Sequence, residues 1–186
     1  MNYSMNKAVF LDRDGVINRR LPEGQYVTRW EELQFLPGVD KAITALNTAG
    51  FLVIVVSNQR CVGKGLLSLG DLGLIHKRML AELAAANAVI DEVYCCPHEK
   101  YPPCDCRKPK PGMLLLAAQA HGIDLVNSWM IGDSESDVQA GKNARCKTAR
   151  VLNSGEVSNG SADLFAESLV EAVQKILATE NRPKHE

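Results

Sequence analysis

Short apolar runs alternate along the chain with stretches whose apolar residues recur every three or four positions. Ala8-Val9-Phe10-Leu11 is unbroken and stops at the charged Asp12-Arg13-Asp14-Gly15. Pro37-Gly38 opens a helix with Val39, Ile43 and Leu46 on one face, closed by Gly50. Phe51-Leu52-Val53-Ile54-Val55-Val56 is continuous and rich in β-branched residues, as a strand buried on both faces should be. It ends at Ser57-Asn58-Gln59. The same reading predicts helices over 69–86, 111–121, 137–144 and 168–178. It predicts strands over 92–95, 129–131 and 148–152.

Strands alternating with helices predict an α/β fold, a Rossmann-like parallel sheet with helices on both faces. Ligands in such sheets bind beyond the carboxyl ends of the strands. Three polar clusters fall at those ends: Asp12 with Asp14, Ser57 with Asn58, and Asp133 with Asp137. They are expected to meet in one crevice. With 186 residues and no repeat or linker, the chain reads as one domain over 1–186. The stretches from Gly15 to Phe51 and from Asn58 to Lys108 are too short to hold a cap domain. The crevice should therefore be open, bounded by residues 18–35, 59–67 and a cysteine loop at about 95–110.

The net charge of −1 leaves no global field to draw nucleic acid or an anionic membrane, so phosphate recognition must be local. No apolar run has membrane-spanning length. The polar stretch from Met1 to Lys7 leads straight into a strand and does not read as a signal peptide. A soluble, cytoplasmic monomer is expected.

By itself, Asp12-Arg13-Asp14-Gly15 reads as a polar turn. Gly132-Asp133-Ser134-Glu135-Ser136-Asp137 after a later strand changes that reading. Carboxylates on adjacent strand ends repel one another unless a hard cation sits among them, and oxygen ligands of this kind suit Mg²⁺. Four of the six cysteines crowd into one stretch. Cys96, His98, Cys104 and Cys106 supply three thiolates and an imidazole, a set that tetrahedral Zn²⁺ takes in closed structural sites. Cys95 should point to the opposite sheet face from Cys96 and pack there. Cys61 and Cys146 read as small packing residues, and His76 and His121 as surface or packing histidines without partners.

Phe10-Leu11-Asp12-Arg13-Asp14-Gly15, Ser57-Asn58-Gln59, Arg107-Lys108-Pro109 and Gly132-Asp133-x-x-x-Asp137 resemble, in order and spacing, the four motifs of the haloacid dehalogenase superfamily. Cys96-Pro97-His98 and Cys104-Asp105-Cys106-Arg107-Lys108-Pro109 are similar to its small histidinol-phosphate and heptose-bisphosphate phosphatases. The resemblance implies an Mg²⁺-dependent phosphatase with Asp12 as nucleophile and Asp14 as general acid and base. It implies metal ligation by Asp12, Asp133 and the Asp14 carbonyl, with phosphate held by Ser57, Lys108 and the backbone at Asn58. Asp137 would orient Lys108 or a metal-bound water. Gln59, Arg60, Arg107 and Ser134 complete the expected substrate contacts. Arg13 is given no role and reads as a surface cation.

The expected substrate is a small sugar phosphate. The first loop with Tyr26-Val27, and Pro111-Gly112-Met113-Leu114-Leu115 after the third motif, look more like the heptose branch, which implies a part in making lipopolysaccharide heptose precursors. The compact cysteine loop is equally compatible with histidinol phosphate. Relatives usually continue Asn-Gln with a small residue and Gly, whereas here Arg60-Cys61 follows. Arg60, Lys64, Arg107 and Lys110 are cations beyond those that catalysis needs, which suits a substrate with two phosphates. Two other readings are a zinc-stabilised binding protein and a nucleic-acid 3′-phosphatase. The first has no need of Asp12, Asp14, Ser57, Lys108 and Asp133 together, and the second lacks a basic stripe with interleaved aromatics.

Overall fold

The computed structural model describes residues 5–153 and 155–180, so residues 1–4 of the polar N-terminus lie outside it. Six strands form one parallel sheet: β1 (Ala8–Leu11), β2 (Leu52–Asn58), β3 (Glu92–Cys96), β4 (Trp129–Gly132), β5 (Lys147–Val151) and β6 (Leu164–Ala166). Their order is β3-β2-β1-β4-β5-β6, with every neighbouring pair parallel. The chain thus starts in the middle of the sheet, winds outward through β2 and β3, then returns to β4 and winds the other way. The reversal between β1 and β4 leaves a crevice outside their carboxyl ends, where open α/β sheets bind ligands.

The helices are α1 (Val39–Thr48), α2 (Arg60–Gly63), α3 (Leu69–Ala85), α4 (Gly112–His121), α5 (Glu135–Asn143) and α6 (Leu169–Glu180). One sheet face packs Val9, Leu11, Val53 and Val55 against apolar residues of α1, α3 and α6. The other packs Ala8, Phe10, Ile54 and Val56 against α4 and α5. Because both faces are covered, successive strand residues are all buried, and the strands read as continuous apolar runs. The same alternation separates the adjacent cysteines, Cys95 packing with the first cluster and Cys96 with the second.

The predicted elements are present, with shifts of one or two residues at their ends. β6 and the single turn α2 were not anticipated. β6 is three residues long between polar neighbours, too short to display a period. α5 begins at Glu135, ahead of the expected 137, because Ser134 and Asp137 form a reciprocal capping box at its start. Between β1 and β2 lie α1 and a single 3-10 turn at Trp30–Glu32, and between β2 and β3 lie α2 and α3. Among the described residues no cap domain interrupts the sheet, and the cysteine loop joins β3 to α4.

α5 lies directly on β4 and β5 because Gly141 faces them. A Cβ there would stand 2.7 Å from Met130 Cβ and Thr148 Cγ2. In an exposed helix interior, Gly→Ala gains about 1 kcal/mol. Here Gly141→Ala is expected to lose roughly 1–3 kcal/mol through overpacking. The urea midpoint should fall at unchanged m-value, and a rise would show that the helix can lift off the sheet freely.

Candidate active site

Asp12 follows β1, Asp133 follows β4, and Asp137 sits in the first turn of α5. All three are buried, and each presents an oxygen within 4.8 Å of the others. Lys108 reaches this group from the exit of the cysteine loop. Its ammonium lies 2.8 Å from Asp12 Oδ1, 2.6 Å from Asp137 Oδ1 and 2.8 Å from the Val56 carbonyl, so each of its three N–H bonds has an acceptor. Burial alone would favour the neutral amine, but Asp12 and Asp137 outweigh it and hold Lys108 charged well above the usual lysine range. Asp137 thus contacts Lys108 directly, one of the two partners expected from its place one turn beyond Asp133.

Burial pushes the Asp12 carboxyl up to about 7. Lys108 opposes that rise, and Asp137, Asp14 and Asp133 add to it. Asp133 is also raised, chiefly by burial and against the pull of Arg20. A pocket of buried oxygens that holds its negative charge this reluctantly matches a hard divalent cation in donor type and in charge. Two glycines make the close approach possible. Gly15 has a φ of +97°, and any Cβ on it would collide with Asp133 Oδ2. A Cβ on Gly132 would collide with the Asp137 side chain.

Arg13 overturns its sequence reading. Its side chain is fully buried, and its guanidinium grips both carboxylate oxygens of Asp14, with Nη2 2.9 Å from each. Nη1 lies 3.2 Å from Nε2 of His76 on α3. His76, expected to lack a partner, is buried, and burial together with Arg13 lowers it to about 4. It therefore stands neutral beside the guanidinium and accepts its N–H. His121 also has a polar neighbour, the Tyr94 hydroxyl at 3.4 Å. Asn18 and Gln59 donate to Asp14 at 2.9 and 3.0 Å. Burial would raise Asp14, but Arg13, Asn18 and Gln59 outweigh it and lower the carboxyl below its ordinary value.

The remaining candidates surround this centre. Ser57 is buried and accepts a hydrogen bond from the Gln59 amide at 2.8 Å. Asn58 turns to the backbone of Lys108: its Oδ1 accepts from Lys108 N–H and its Nδ2 donates to the Lys108 carbonyl, both at 3.1 Å. This double link clamps the end of β2 to the exit of the cysteine loop. Ser134 lines the cleft, yet its hydroxyl lies 2.5 Å from Asp137 Oδ2 in the α5 cap. Arg60 also lines the cleft but pairs with Glu99 at 2.5 Å. Lys110 pairs with Asp105 outside the cleft, and Lys64 lies 5.1 Å over the Tyr26 ring. Arg107 donates to the His98 carbonyl at 3.2 Å. Arg20 was missed by the sequence reading, and its Nη1 lies 2.9 Å from Asp133 Oδ2. The pair Arg19-Arg20 carries no local signal for which of the two turns inward.

The cysteine cluster forms as expected. Cys96 Sγ lies 3.6 Å from Cys104 Sγ and 3.7 Å from His98 Nδ1, and Cys106 Sγ lies 3.5 Å from Cys104 Sγ and 3.2 Å from His98 Nδ1. A tetrahedral zinc–sulfur bond of about 2.3 Å sets sulfur atoms about 3.8 Å apart, so these separations fit a zinc ion within a few tenths of an ångström. The loop is pressed between neighbours: a Cβ on Gly63 of α2 would meet its backbone at Pro97 and Glu99, and one on Gly112 of α4 would collide with the Asp105 carbonyl.

The carboxylates, the Ser57-to-Arg60 turn, Arg107, Lys108 and the segment 20–27 enclose a cleft of about 310 Å³. No helix among the described residues is long and apolar enough to cross a membrane. The HAD-hydrolase-like family model matches residues 105–172. A D-glycero-alpha-D-manno-heptose-1,7-bisphosphate 7-phosphatase of Mycobacterium bovis is 38% identical over 167 residues, covering 88% of this chain and 87% of that one. A D-glycero-beta-D-manno-heptose-1,7-bisphosphate 7-phosphatase of Rhodopseudomonas palustris is 44% identical over 144 residues, covering 74% and 78%. The crystal structure of D,D-heptose 1,7-bisphosphate phosphatase from B. bronchiseptica, complexed with magnesium and phosphate, superposes with a TM-score of 0.84 at 32% identity, covering 93% and 99%. With relatives at 38% and 44% identity over most of its length and a heptose bisphosphate phosphatase of the same fold at 32% identity, the chain belongs to their family of haloacid dehalogenase-like phosphatases, enzymes that hydrolyse phosphoric monoesters.

Proposed function

We propose that this enzyme removes the 7-phosphate of D-glycero-D-manno-heptose 1,7-bisphosphate in an Mg²⁺-dependent reaction that passes through a phospho-aspartate at Asp12. The observation that carries the chemistry is the Lys108 ammonium held between Asp12 and Asp137 at 2.8 and 2.6 Å. The substrate rests on the names of relatives at 38% and 44% identity.

Asp12, Asp133 and the backbone carbonyl of Asp14 would hold Mg²⁺, which when bound neutralises charge on the transferring phosphoryl group. The rest falls to the chain. Lys108 fixes Asp12 through Oδ1, which leaves the other carboxylate oxygen to attack phosphorus. The phosphorus–oxygen ester bond breaks, and the leaving alkoxide takes a proton from Asp14. In the second step Asp14 takes a proton from water, the water oxygen attacks phosphorus, and the acyl-phosphate bond to Asp12 breaks. Asp14 is ionised in the free enzyme because Arg13, Asn18 and Gln59 stabilise its anion. The arriving phosphate dianion raises it by like-charge repulsion, which lets it carry a proton into the first step. Ser57, Lys108 and backbone N–H groups near Asn58 supply donors for the phosphoryl oxygens, the positioning and charge neutralisation that this chemistry chiefly requires. Cys96, His98, Cys104 and Cys106 would hold a structural Zn²⁺ with no open position. Its effect on catalysis is mechanical: fixing Cys106 fixes the approach of Arg107 and Lys108.

Asp12→Asn is expected to lower kcat by about 10²-fold or more, because an amide is a poor nucleophile, while circular dichroism stays unchanged. Retention of more than about a tenth of the wild-type rate would exclude the covalent route. Fresh protein should carry about one zinc per chain by elemental analysis, not removed by dialysis. Cys106→Ser should lose that zinc and lower both Tm and kcat, whereas full activity in zinc-free protein would end the mechanical role. The substrate is tested by phosphate release from both anomers of the heptose bisphosphate, histidinol phosphate, fructose 1,6-bisphosphate and a 3′-phosphorylated oligonucleotide. The heptose bisphosphate should give the highest kcat/KM. A higher value for histidinol phosphate would displace the heptose assignment and leave the phosphatase mechanism standing.

A further inference from the structure

We propose that Arg20 is a two-position residue: in the free enzyme its guanidinium occupies the Asp133 carboxylate in place of a divalent cation, and once a cation takes that carboxylate Arg20 turns to anchor the substrate's second phosphate. The second half rests on the bisphosphatase reading above, and the first half does not.

Four observations support this assignment. Arg20 Nη1 lies 2.9 Å from Asp133 Oδ2, so a cation already sits on one of the carboxylates proposed to hold metal. That oxygen is confined: it packs against Gly15 at a distance that leaves no room for a Cβ. Two positive species at contact distance on one carboxylate repel each other, so the arriving dication and the guanidinium compete. The Arg20 side chain is 56% exposed while Asp133 is 3% exposed, so the arginine can leave without breaking a packed core.

The charge balance of the cleft says where Arg20 goes next. Arg60 is neutralised by Glu99, Lys110 is paired with Asp105 outside the cleft, and Lys64 is stacked on Tyr26. Of the arginines among the described cleft residues, Arg13 is buried on Asp14 and Arg60 is paired. That leaves Arg107 and Arg20, and Arg20 is the one whose carboxylate partner is claimed by the metal. It stands on the segment 20–27 that lines the cleft. A freed guanidinium there offers a bidentate fork suited to a phosphate too far from Asp12 to react.

The test uses Arg20→Gln, with Arg20→Lys as a second variant that keeps the charge without the fork. Mg²⁺ binding to substrate-free protein is measured by titration calorimetry, with circular dichroism to confirm the fold. Arg20→Gln should bind Mg²⁺ roughly tenfold more tightly than wild type, since the competing cation is gone. Arg20→Lys should lie between the two. Equal or weaker Mg²⁺ binding by Arg20→Gln overturns the competition. The second measurement compares KM for the heptose bisphosphate with KM for p-nitrophenyl phosphate, which has no second phosphate. Arg20→Gln should raise the first by about tenfold relative to the second. An equal change in both overturns the anchoring role. Should the wild-type enzyme show no preference for the heptose bisphosphate, the substrate reading fails, and the calorimetry still decides whether Arg20 competes with metal.

Discussion

The Lys108 ammonium joins the parts of this site that come from different elements. Its three acceptors are the carboxylate after β1, the carboxylate in the first turn of α5 and a carbonyl of β2. None of these groups could be buried so close together without it, because Asp12 and Asp137 would repel each other in a medium that screens them poorly. Removing one partner of such a buried set leaves the others uncompensated, a loss of about 3–5 kcal/mol in comparable cases. The lysine is in turn held from behind. Asn58 binds its backbone on both sides, and Cys106 lies two residues upstream in the cysteine cluster. The ammonium beside Asp12 is thus aimed by the exit of the cysteine loop, whose own side chains lie outside the carboxylate cluster.

A second buried assembly serves Asp14. Arg13 lies between Asp14 and His76, with Asn18 and Gln59 donating to the same carboxylate. The arrangement separates Asp12 and Asp14 electrically although they are two residues apart. Asp12 is held high by burial among other carboxylates, and Asp14 is held low by an arginine and two amides. Environments that push two neighbouring carboxyls in opposite directions are how one site assigns a nucleophile and a proton carrier. The cleft beside them is bounded by loops and, among the described residues, carries no inserted domain, so in the proposed mechanism water reaches the phosphorylated Asp12 and hydrolysis is favoured over transfer to another acceptor.

The amino-acid sequence alone determined the sheet class, the convergence of three strand ends, the clustering of Cys96, His98, Cys104 and Cys106, and the place of Asp137 one helical turn beyond Asp133. Each follows from near neighbours in the chain: apolar runs that end in charge, one-residue spacings between ligands, a four-residue step along a helix. It misread Arg13 as a surface cation, left His76 without a partner, passed over Arg20, and counted Arg60 and Lys110 among the surplus cations suited to a second phosphate. Those outcomes were decided only by tertiary structure. Arg13 meets His76 across 63 positions and Arg20 meets Asp133 across 113, while Arg60 is neutralised by Glu99 across 39. A charged side chain is long enough to choose among several neighbours. Which neighbour it takes depends on burial and on competing charges, and those exist only once distant segments are packed against one another.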